Sequence, residues 1–263
     1  MSKGINKGII SAYNNGILRG AGLMPNGEAF YGAVDLALAN PGFGVGIHVS
    51  LVGERCIAPA DKLPGLADPD GNLPESYWEF VRRYISRRFG IDQIRAEIEA
   101  QFEMALSTGI KFTHVDSHQH LHVIPRVFDI VLDLAKSAGI STIRIPAERR
   151  RFSPSARGIQ LFVLSLLCRV CRRRAIRAGM RVADHFWGLA DSGRMDEIHL
   201  TAVLKSLGPG INEVMCHPGI ADAATIARYG WGYRWDDEHA ALVSPAIQAL
   251  VDKAGIRLAS FHD

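Results

Sequence analysis

The sequence is poor in the features that mark secreted, membrane-spanning and nucleic-acid-binding chains. Its four cysteines are too few and too scattered along 263 residues for a disulfide framework. No apolar run reaches the roughly 18 residues that a membrane span needs, and the opening stretch MSKGINKGII lacks the apolar core of a signal peptide. The net charge is only +3, so a nucleic acid is not expected as the partner. We therefore expect a cytoplasmic protein.

Cys168 and Cys171 form the one C-x-x-C pair in the chain. A zinc ribbon would need a second pair, and a thioredoxin-like site would sit near a βαβ pattern. Here no second pair follows, and the surrounding segment is a basic helical run. We interpret both cysteines as small apolar residues and not as a redox or zinc site.

Helical and strand patterns alternate along the chain. Apolar residues at helical spacing predict helices, and short runs rich in β-branched residues predict strands. The predicted helices cover 5–16, 28–39, 91–107, 126–138, 200–207 and 244–254, and the predicted strands cover 43–52, 111–117, 141–145, 213–216 and 256–261. This alternation predicts an α/β fold with a parallel sheet, open or barrel-like, in a single domain over 1–263. The long connections 53–77 and 149–193 are expected to lie at the active-site end.

The stretch Thr113 to Pro125, THVDSHQHLHVIP, places polar side chains on alternate residues. While the chain is extended, these side chains share one face. They are His114, Asp116, His118, His120 and His122. The later members follow the predicted strand, at the carboxyl end where α/β enzymes hold their chemistry. Several imidazoles beside a carboxylate suit a divalent metal; the alternative is a polar loop or a metal-free hydrogen-bond network.

Two further histidines stand at predicted strand ends. His48 interrupts the apolar strand GVGIHVSL, and His217 follows the strand in EVMCHPG. Alone, His48 would be read as a hydrogen-bonded core histidine. Because a parallel sheet or barrel brings these strand ends together, the three segments are predicted to form one site.

These three segments, in this order and spacing, resemble the YdjC-like carbohydrate deacetylases, a family that includes chitooligosaccharide deacetylases and the hopanoid-biosynthesis proteins called HpnK. The likeness covers nearly the whole chain and extends through SKGINKGI, GLMPNGEAF and YRWDDEHAALVSP. It implies an irregular β/α barrel of the polysaccharide-deacetylase type. It also implies metal-dependent hydrolysis that removes an N-acetyl group from an amino sugar.

The resemblance also implies roles for individual residues. His48 and His118 would be the metal ligands, and Asp116 would orient a histidine. His217 would protonate the leaving amine or steady the oxyanion. His120 and His122 would stand behind the ligands or face the substrate, and Arg234 would hydrogen-bond the sugar or pair with Glu238. Apart from the resemblance, Trp231 is one of several aromatic residues in loop-like segments that could stack on a sugar ring or belong to the core. Two histidines and a carboxylate suit Zn, whereas a hard ion such as Mg prefers more oxygen ligands. The resemblance leaves the metal open, because the family is reported with either kind of ion.

The sequence departs from the family at its beginning. Family members open with a strand ending in Ala-Asp-Asp-Phe-Gly, and this chain opens MSKGINKGI. The first barrel strand and both aspartates are therefore expected to be missing, with a start site called too late as the suggested cause. A site without its carboxylate ligand would bind metal less tightly, so a catalytically impaired, sugar-binding relative is retained as an alternative. A metal-dependent phosphoesterase is the third, although the sequence offers no Gly-rich phosphate loop.

The segment 149–181 contains ten arginines around an apolar run, GIQLFVLSLLCRVCRRRAIRAGMR. A basic amphipathic helix of this kind can lie on an anionic membrane surface, or it can be a solvated helix packed on the barrel. If the helix binds a membrane surface, a lipid-linked amino sugar of the hopanoid type is favoured as the substrate. A soluble chitooligosaccharide is the alternative. Composition does not fix the oligomeric state, and a homodimer is one of the states considered.

Overall fold

Six short parallel strands lie in the part of the chain that the structure describes. The computed structural model describes residues 1–148 and 156–262. Four strands pair in chain order in one sheet, and two more form a second sheet. They are β1 (Gly20–Leu23), β2 (Gly44–Val49), β3 (His114–Ser117) and β4 (Thr142–Ile143), then β5 (His185–Trp187) and β6 (Asn212–Val214). Every pairing between them is parallel. The prediction of an α/β fold with a parallel sheet is confirmed.

Helices connect the strands and cover the sheets. They are α1 (Lys3–Asn15), α2 (Phe30–Leu38), α3 (Tyr77–Ile85), α4 (Ile91–Leu106), α5 (Pro125–Ser137), α6 (Ala156–Arg177), α7 (Glu197–Leu204), α8 (Ala223–Arg228), α9 (Trp235–Val243) and α10 (Pro245–Lys253). Their starts follow local chemistry: Ser2, Ser76 and Asp196 cap α1, α3 and α7 with side-chain oxygens that accept a backbone N–H. In the part of the chain that the structure describes, no helix is long and apolar enough to cross a membrane.

The main core lies between the four-stranded sheet and the helices that pack on it. Strand β2 is nearly continuous in apolar residues, with Val45, Ile47 and Val49 buried, as expected for a strand covered on both faces. Apolar side chains of α4 and α5 fill the space beside it. Cys168 and Cys171 of α6 lie in the same core, and burial raises the pKa of each thiol to about 12.

The structure corrects the secondary structure predicted for the carboxyl-terminal segment. Residues 256–261 do not form the predicted strand. They run irregularly along the sheet, where the ring of Phe261 stacks on that of His114 with 3.8 Å between centroids. The alternating apolar residues Ile256 and Leu258 pack against a second core, formed largely by α7, α9 and α10, without strand hydrogen bonds.

Several elements were not predicted. Strand β1 has only four residues, two of them glycine, which is too short a pattern to read from sequence. Helix α3 begins at the end of the loop-like 53–77 connection, and α9 and β5 were also missed. In the predicted 149–193 insertion, α6 and β5 are seen, while residues 149–155 lie outside the described residues.

A buried carboxylate attaches the 53–77 connection to α4. Glu97 is fully buried and accepts hydrogen bonds from the backbone N–H groups of Ile57, at 3.0 Å, and Ala58, at 2.9 Å. It also accepts one from the amide of Gln101 at 2.7 Å. The connection is thus fixed to the helix by charge-assisted bonds rather than by its own secondary structure.

Replacing Glu97 by alanine is expected to lower the free energy of unfolding by about 2–4 kcal/mol, because two buried N–H groups and the Gln101 amide lose their partner. Chemical denaturation measures this change. Glu99→Ala on the exposed side of the same helix is the control and should change the free energy of unfolding by less than about 0.5 kcal/mol. Equal effects of the two substitutions would contradict the assigned role of Glu97.

Candidate active site

The carboxyl ends of β2, β3 and β6 open into one cavity of about 1020 Å³. His48 lies near the end of β2, His118 directly follows β3, and His217 follows β6 by a few residues. All three histidines line the cavity, together with Asp116 and His120. The structure therefore brings together the three segments that the sequence predicted to meet.

His48 is held by the carboxylate of Asp116. The two residues lie opposite each other in the parallel pairing of β2 with β3. His48 Nδ1 is 2.7 Å from Asp116 Oδ1. Because a carboxylate oxygen can only accept, this contact places a proton on Nδ1, and Nε2 is then the ring nitrogen available to bind a ligand.

The other oxygen of Asp116 is bound by Arg144, which follows β4. The Arg144 Nε also contacts Glu213 Oε1 of β6 at 2.5 Å. Burial alone would raise the pKa of Asp116, but Arg144 and His48 hold that pKa well below its usual range. The chain His48–Asp116–Arg144–Glu213 thus links both sheets through one buried charge network.

Sequence reasoning did not identify Arg144 and Glu213 as parts of the site. Arg144 directly follows a short strand and lies outside the three quoted segments, whereas Glu213 opens the segment EVMCHPG, where only His217 was singled out. The available signal was weak: a charged residue directly after a short β-branched strand, and a carboxylate inside a strand predicted to be buried.

His118 and His120 occupy a tight turn between β3 and α5. The 3₁₀ segment His118–Val123 contains two non-glycine residues in the left-handed region, Gln119 with φ 50° and His120 with φ 57°. This strained turn directs His118 toward His48, with 5.9 Å between the ring centroids. Desolvation lowers the pKa of His118 to about 3, so its imidazole is neutral. His120 also lines the cavity, and its Nδ1 is buried without a hydrogen-bond partner among the described residues.

His122 is not positioned for the predicted contact with substrate. It is fully buried and is not among the residues that line the cavity. Its Nδ1 lies 2.6 Å from the Ser117 hydroxyl and its Nε2 lies 2.9 Å from the Arg144 carbonyl oxygen. Through these two contacts His122 connects the end of β3 to the segment that carries Arg144.

His217 lines the cavity from the loop that follows β6. Its backbone N–H donates to Glu238, a fully buried carboxylate of α9 that also accepts from the Met195 N–H at 3.1 Å. Burial lowers the pKa of His217 to about 3, so this imidazole is neutral as well. The predicted pairing of Glu238 with Arg234 does not occur; Glu238 instead fixes the backbone at His217.

Trp231 and Arg234 have different surroundings. Trp231 lines the cavity, with its ring 5.1 Å from that of His118, and it belongs to an aromatic cluster with Tyr233 and Trp235. Arg234 does not line the cavity. It pairs at the surface with Asp196 at 3.1 Å and with Asp237 at 2.6 Å. The structure therefore brings Trp231 to the site and leaves Arg234 outside it.

The donor groups at the site fit two ligand positions of a divalent metal. His48, oriented by Asp116, and neutral His118 are suitable nitrogen donors. Across the described residues, no group of three or more His, Cys, Asp or Glu side chains is arranged to hold a metal. Any remaining ligand positions would fall to water or substrate.

Parallel strands that bring histidines and a carboxylate to one end of a cavity form the kind of site found in α/β enzymes. The model for the YdjC-like protein family matches residues 1–253, and the chain belongs to this family. It is 30% identical over 267 residues to a carbohydrate deacetylase of Clostridium beijerinckii, covering 100% of this chain and 95% of the relative. It is 29% identical over 272 residues to a chitooligosaccharide deacetylase of Yersinia enterocolitica, covering 100% and 94%.

A solved structure shares the fold. The crystal structure of an Enterococcus faecalis protein, described as a cellobiose-phosphate cleavage protein, matches with a TM-score of 0.74. The match covers 99% of this chain and 93% of that protein at 20% sequence identity. At this identity the likeness establishes the fold alone.

Gly22 of β1 makes room for the pair of His48 and Asp116. A Cβ atom at Gly22 would lie 2.8 Å from His48 Cβ, 2.9 Å from His48 Nδ1 and 3.1 Å from Asp116 Oδ1. Only a residue without a side chain allows β1 to approach this closely.

Gly22→Ala is therefore expected to displace His48 and to lower the rate of the catalysed reaction by about tenfold or more, as misplacement of a catalytic group does. Steady-state kinetics measures this effect. Gly32→Ala is the matched control, because a Cβ at Gly32 in α2 meets nothing within 4 Å. A Gly22→Ala protein with unchanged kinetics would contradict the close approach.

Glu238 should make stability depend on pH. Burial raises the pKa of Glu238 to about 7, against about 4.3 for an unperturbed glutamate. Between these values the folded protein holds a proton that the unfolded chain has lost, so this group's contribution to stability falls as the pH rises from about 4.3 to about 7. We expect the free energy of unfolding of the wild type, minus that of Glu238→Gln, to fall by about 1–3 kcal/mol over this window and to stay level above it. Denaturation at a series of pH values measures the difference, and a flat difference would contradict the raised pKa.

Proposed function

We propose that the protein is a metal-dependent N-deacetylase that hydrolyses the acetamido group of an amino sugar. The observation that carries the proposal is the convergence of His48, His118 and His217 on one cavity, with His48 oriented by Asp116. The deacetylase names of the relatives from Clostridium beijerinckii and Yersinia enterocolitica support it.

His48 and His118 would hold the divalent ion, Zn or Mg. When bound, such an ion supplies Lewis acidity toward the amide carbonyl and toward water. Asp116 keeps the Nε2 lone pair of His48 directed at the cavity, and Arg144 keeps Asp116 charged. Asp116 therefore acts through His48 and is a positioning residue.

His217 has two candidate roles, and its environment favours one of them. A histidine that protonates the leaving amine has to carry a proton near neutral pH, but the pKa of His217 is about 3. A neutral imidazole can instead donate its N–H to the oxyanion that develops on the amide carbonyl. We assign His217 this role, with Glu238 fixing its backbone.

The residues that line the cavity indicate which kind of substrate it can hold. Near the histidines, Trp231 and Tyr233 offer aromatic faces on which a sugar ring can stack. The cavity is also lined by apolar side chains of α3 and α6, including Val81, Leu161 and Leu164. A soluble chitooligosaccharide has no apolar part to place there, so this lining favours a lipid-linked amino sugar of the hopanoid type.

A sugar-binding relative without catalysis is the second candidate. It is favoured by one observation, namely that the described residues contain no group of three metal-ligating side chains. Metal content and acetate release together distinguish a binder from an enzyme. Phosphate release from a sugar phosphate would identify the phosphoesterase alternative.

Alanine at His48 or at His118 is expected to abolish bound metal, measured by elemental analysis, and to lower acetate release from N-acetylglucosamine-containing substrates by at least about 100-fold. His217→Ala should keep the metal and lose about 100-fold in rate, as removal of an oxyanion donor does. His199→Ala serves as the control, because His199 is half-exposed, is paired with Asp196 and does not line the cavity. Full acetate release by the His48 and His118 variants would contradict the assignment.

A further inference from the structure

Helix α6 is apolar on two opposite faces. Its inner face places Leu164, Cys168 and Cys171 in or against the main core. Its outer face carries Ile159, Val163, Leu166 and Val170, which are 51%, 49%, 43% and 47% exposed. These four residues follow one another at intervals of three or four, so they form a single stripe along the helix. A helix that is apolar on all sides is normally buried on all sides. We therefore expect another surface to cover the outer stripe.

Positively charged side chains continue the stripe toward the carboxyl end of α6. Arg173 and Arg177 extend it at the same helical spacing, Arg169 flanks it, and all three side chains are exposed. Between 149 and 183 the sequence contains ten arginines and no aspartate or glutamate. The surface that fits this helix must therefore be apolar over one part and anionic over the other.

The outer stripe also borders the mouth of the cavity. Val163 is both exposed and part of the cavity lining, and so are Trp78 and Ile85 of α3, which are 64% and 74% exposed. Two helices thus present apolar side chains at the rim of the opening that leads to the histidines. A substrate that enters between α3 and α6 would therefore pass into the cavity directly from the surface that contacts the stripe.

We propose that the outer stripe of α6 and the rim residues Trp78 and Ile85 bind the surface of an anionic lipid bilayer, with the cavity mouth facing the lipid. Acyl chains cover the apolar turns and anionic headgroups face Arg169, Arg173 and Arg177. A second copy of the chain fits this face less well. A two-fold pairing of α6 places the arginines either against each other or against the apolar turns of the partner. The proposal depends on the proposed function only for what enters the cavity, since binding to a bilayer requires no catalysis.

Sedimentation with vesicles tests the proposal on the full chain. We expect binding to vesicles that contain phosphatidylglycerol and little binding to pure phosphatidylcholine, with binding weakened at high salt. The variant Leu166→Glu/Val170→Glu should bind at least tenfold more weakly, and Arg169→Gln/Arg173→Gln/Arg177→Gln should lose the preference for anionic lipid. Ile198→Glu is the matched control, because Ile198 of α7 is 80% exposed and does not line the cavity; it should bind like the wild type.

Folding and self-association are measured on the same proteins. Circular dichroism has to show that each variant is folded, and acetate release from a short soluble substrate, measured without vesicles, reports the proposed function separately. Absence of vesicle binding by the wild type would overturn the proposal, and so would equal binding by Leu166→Glu/Val170→Glu. A wild-type dimer that this variant converts to a monomer, without vesicle binding, would overturn it in favour of an interface between two copies.

Discussion

The charge of Asp116 is the constraint on which the rest of the site depends. A fully buried carboxylate is unfavourable unless its partners compensate for the lost water, and here Arg144 and His48 take one oxygen each. Losing Arg144 would leave an uncompensated charge in the core, and losing His48 would leave one buried carboxylate oxygen without its hydrogen-bond donor. The same carboxylate decides which nitrogen of His48 faces the cavity. Stability and the chemistry of the site therefore rest on one set of contacts.

Several features of the backbone make the contact between His48 and Asp116 possible. The parallel register of β2 with β3 places His48 beside Asp116, and Gly22 lets β1 pass close to both. His122 and Ser117 brace the segment that carries Arg144. On the second sheet, Glu213 of β6 binds the far side of Arg144. One arginine thereby connects two sheets that share no strand pairing among the described residues.

The sequence predicted the strand-end histidines because alternation and apolar strands are local patterns. It could not predict Arg144, Glu213 or Glu238 as partners, since their contacts span many residues and depend on how the sheets meet. For His122 the local pattern was misleading. It shares the alternation of the motif, but the turn at Gln119 and His120 ends the extended chain, and His122 is buried in the core. The alternation at 256–261 suggested a strand, but Ile256 and Leu258 pack against helices and Phe261 stacks on His114.

The most direct test of this account is the protonation state of His48, read by ¹⁵N NMR at pH 8 without added metal. The signal is assigned by its loss in His48→Gln. We predict that the neutral ring carries its proton on Nδ1 and a free lone pair on Nε2, and that Asp116→Asn gives a mixture of tautomers. A neutral wild-type ring with its proton on Nε2 would show that Asp116 does not prepare His48 as a ligand, and would contradict the account.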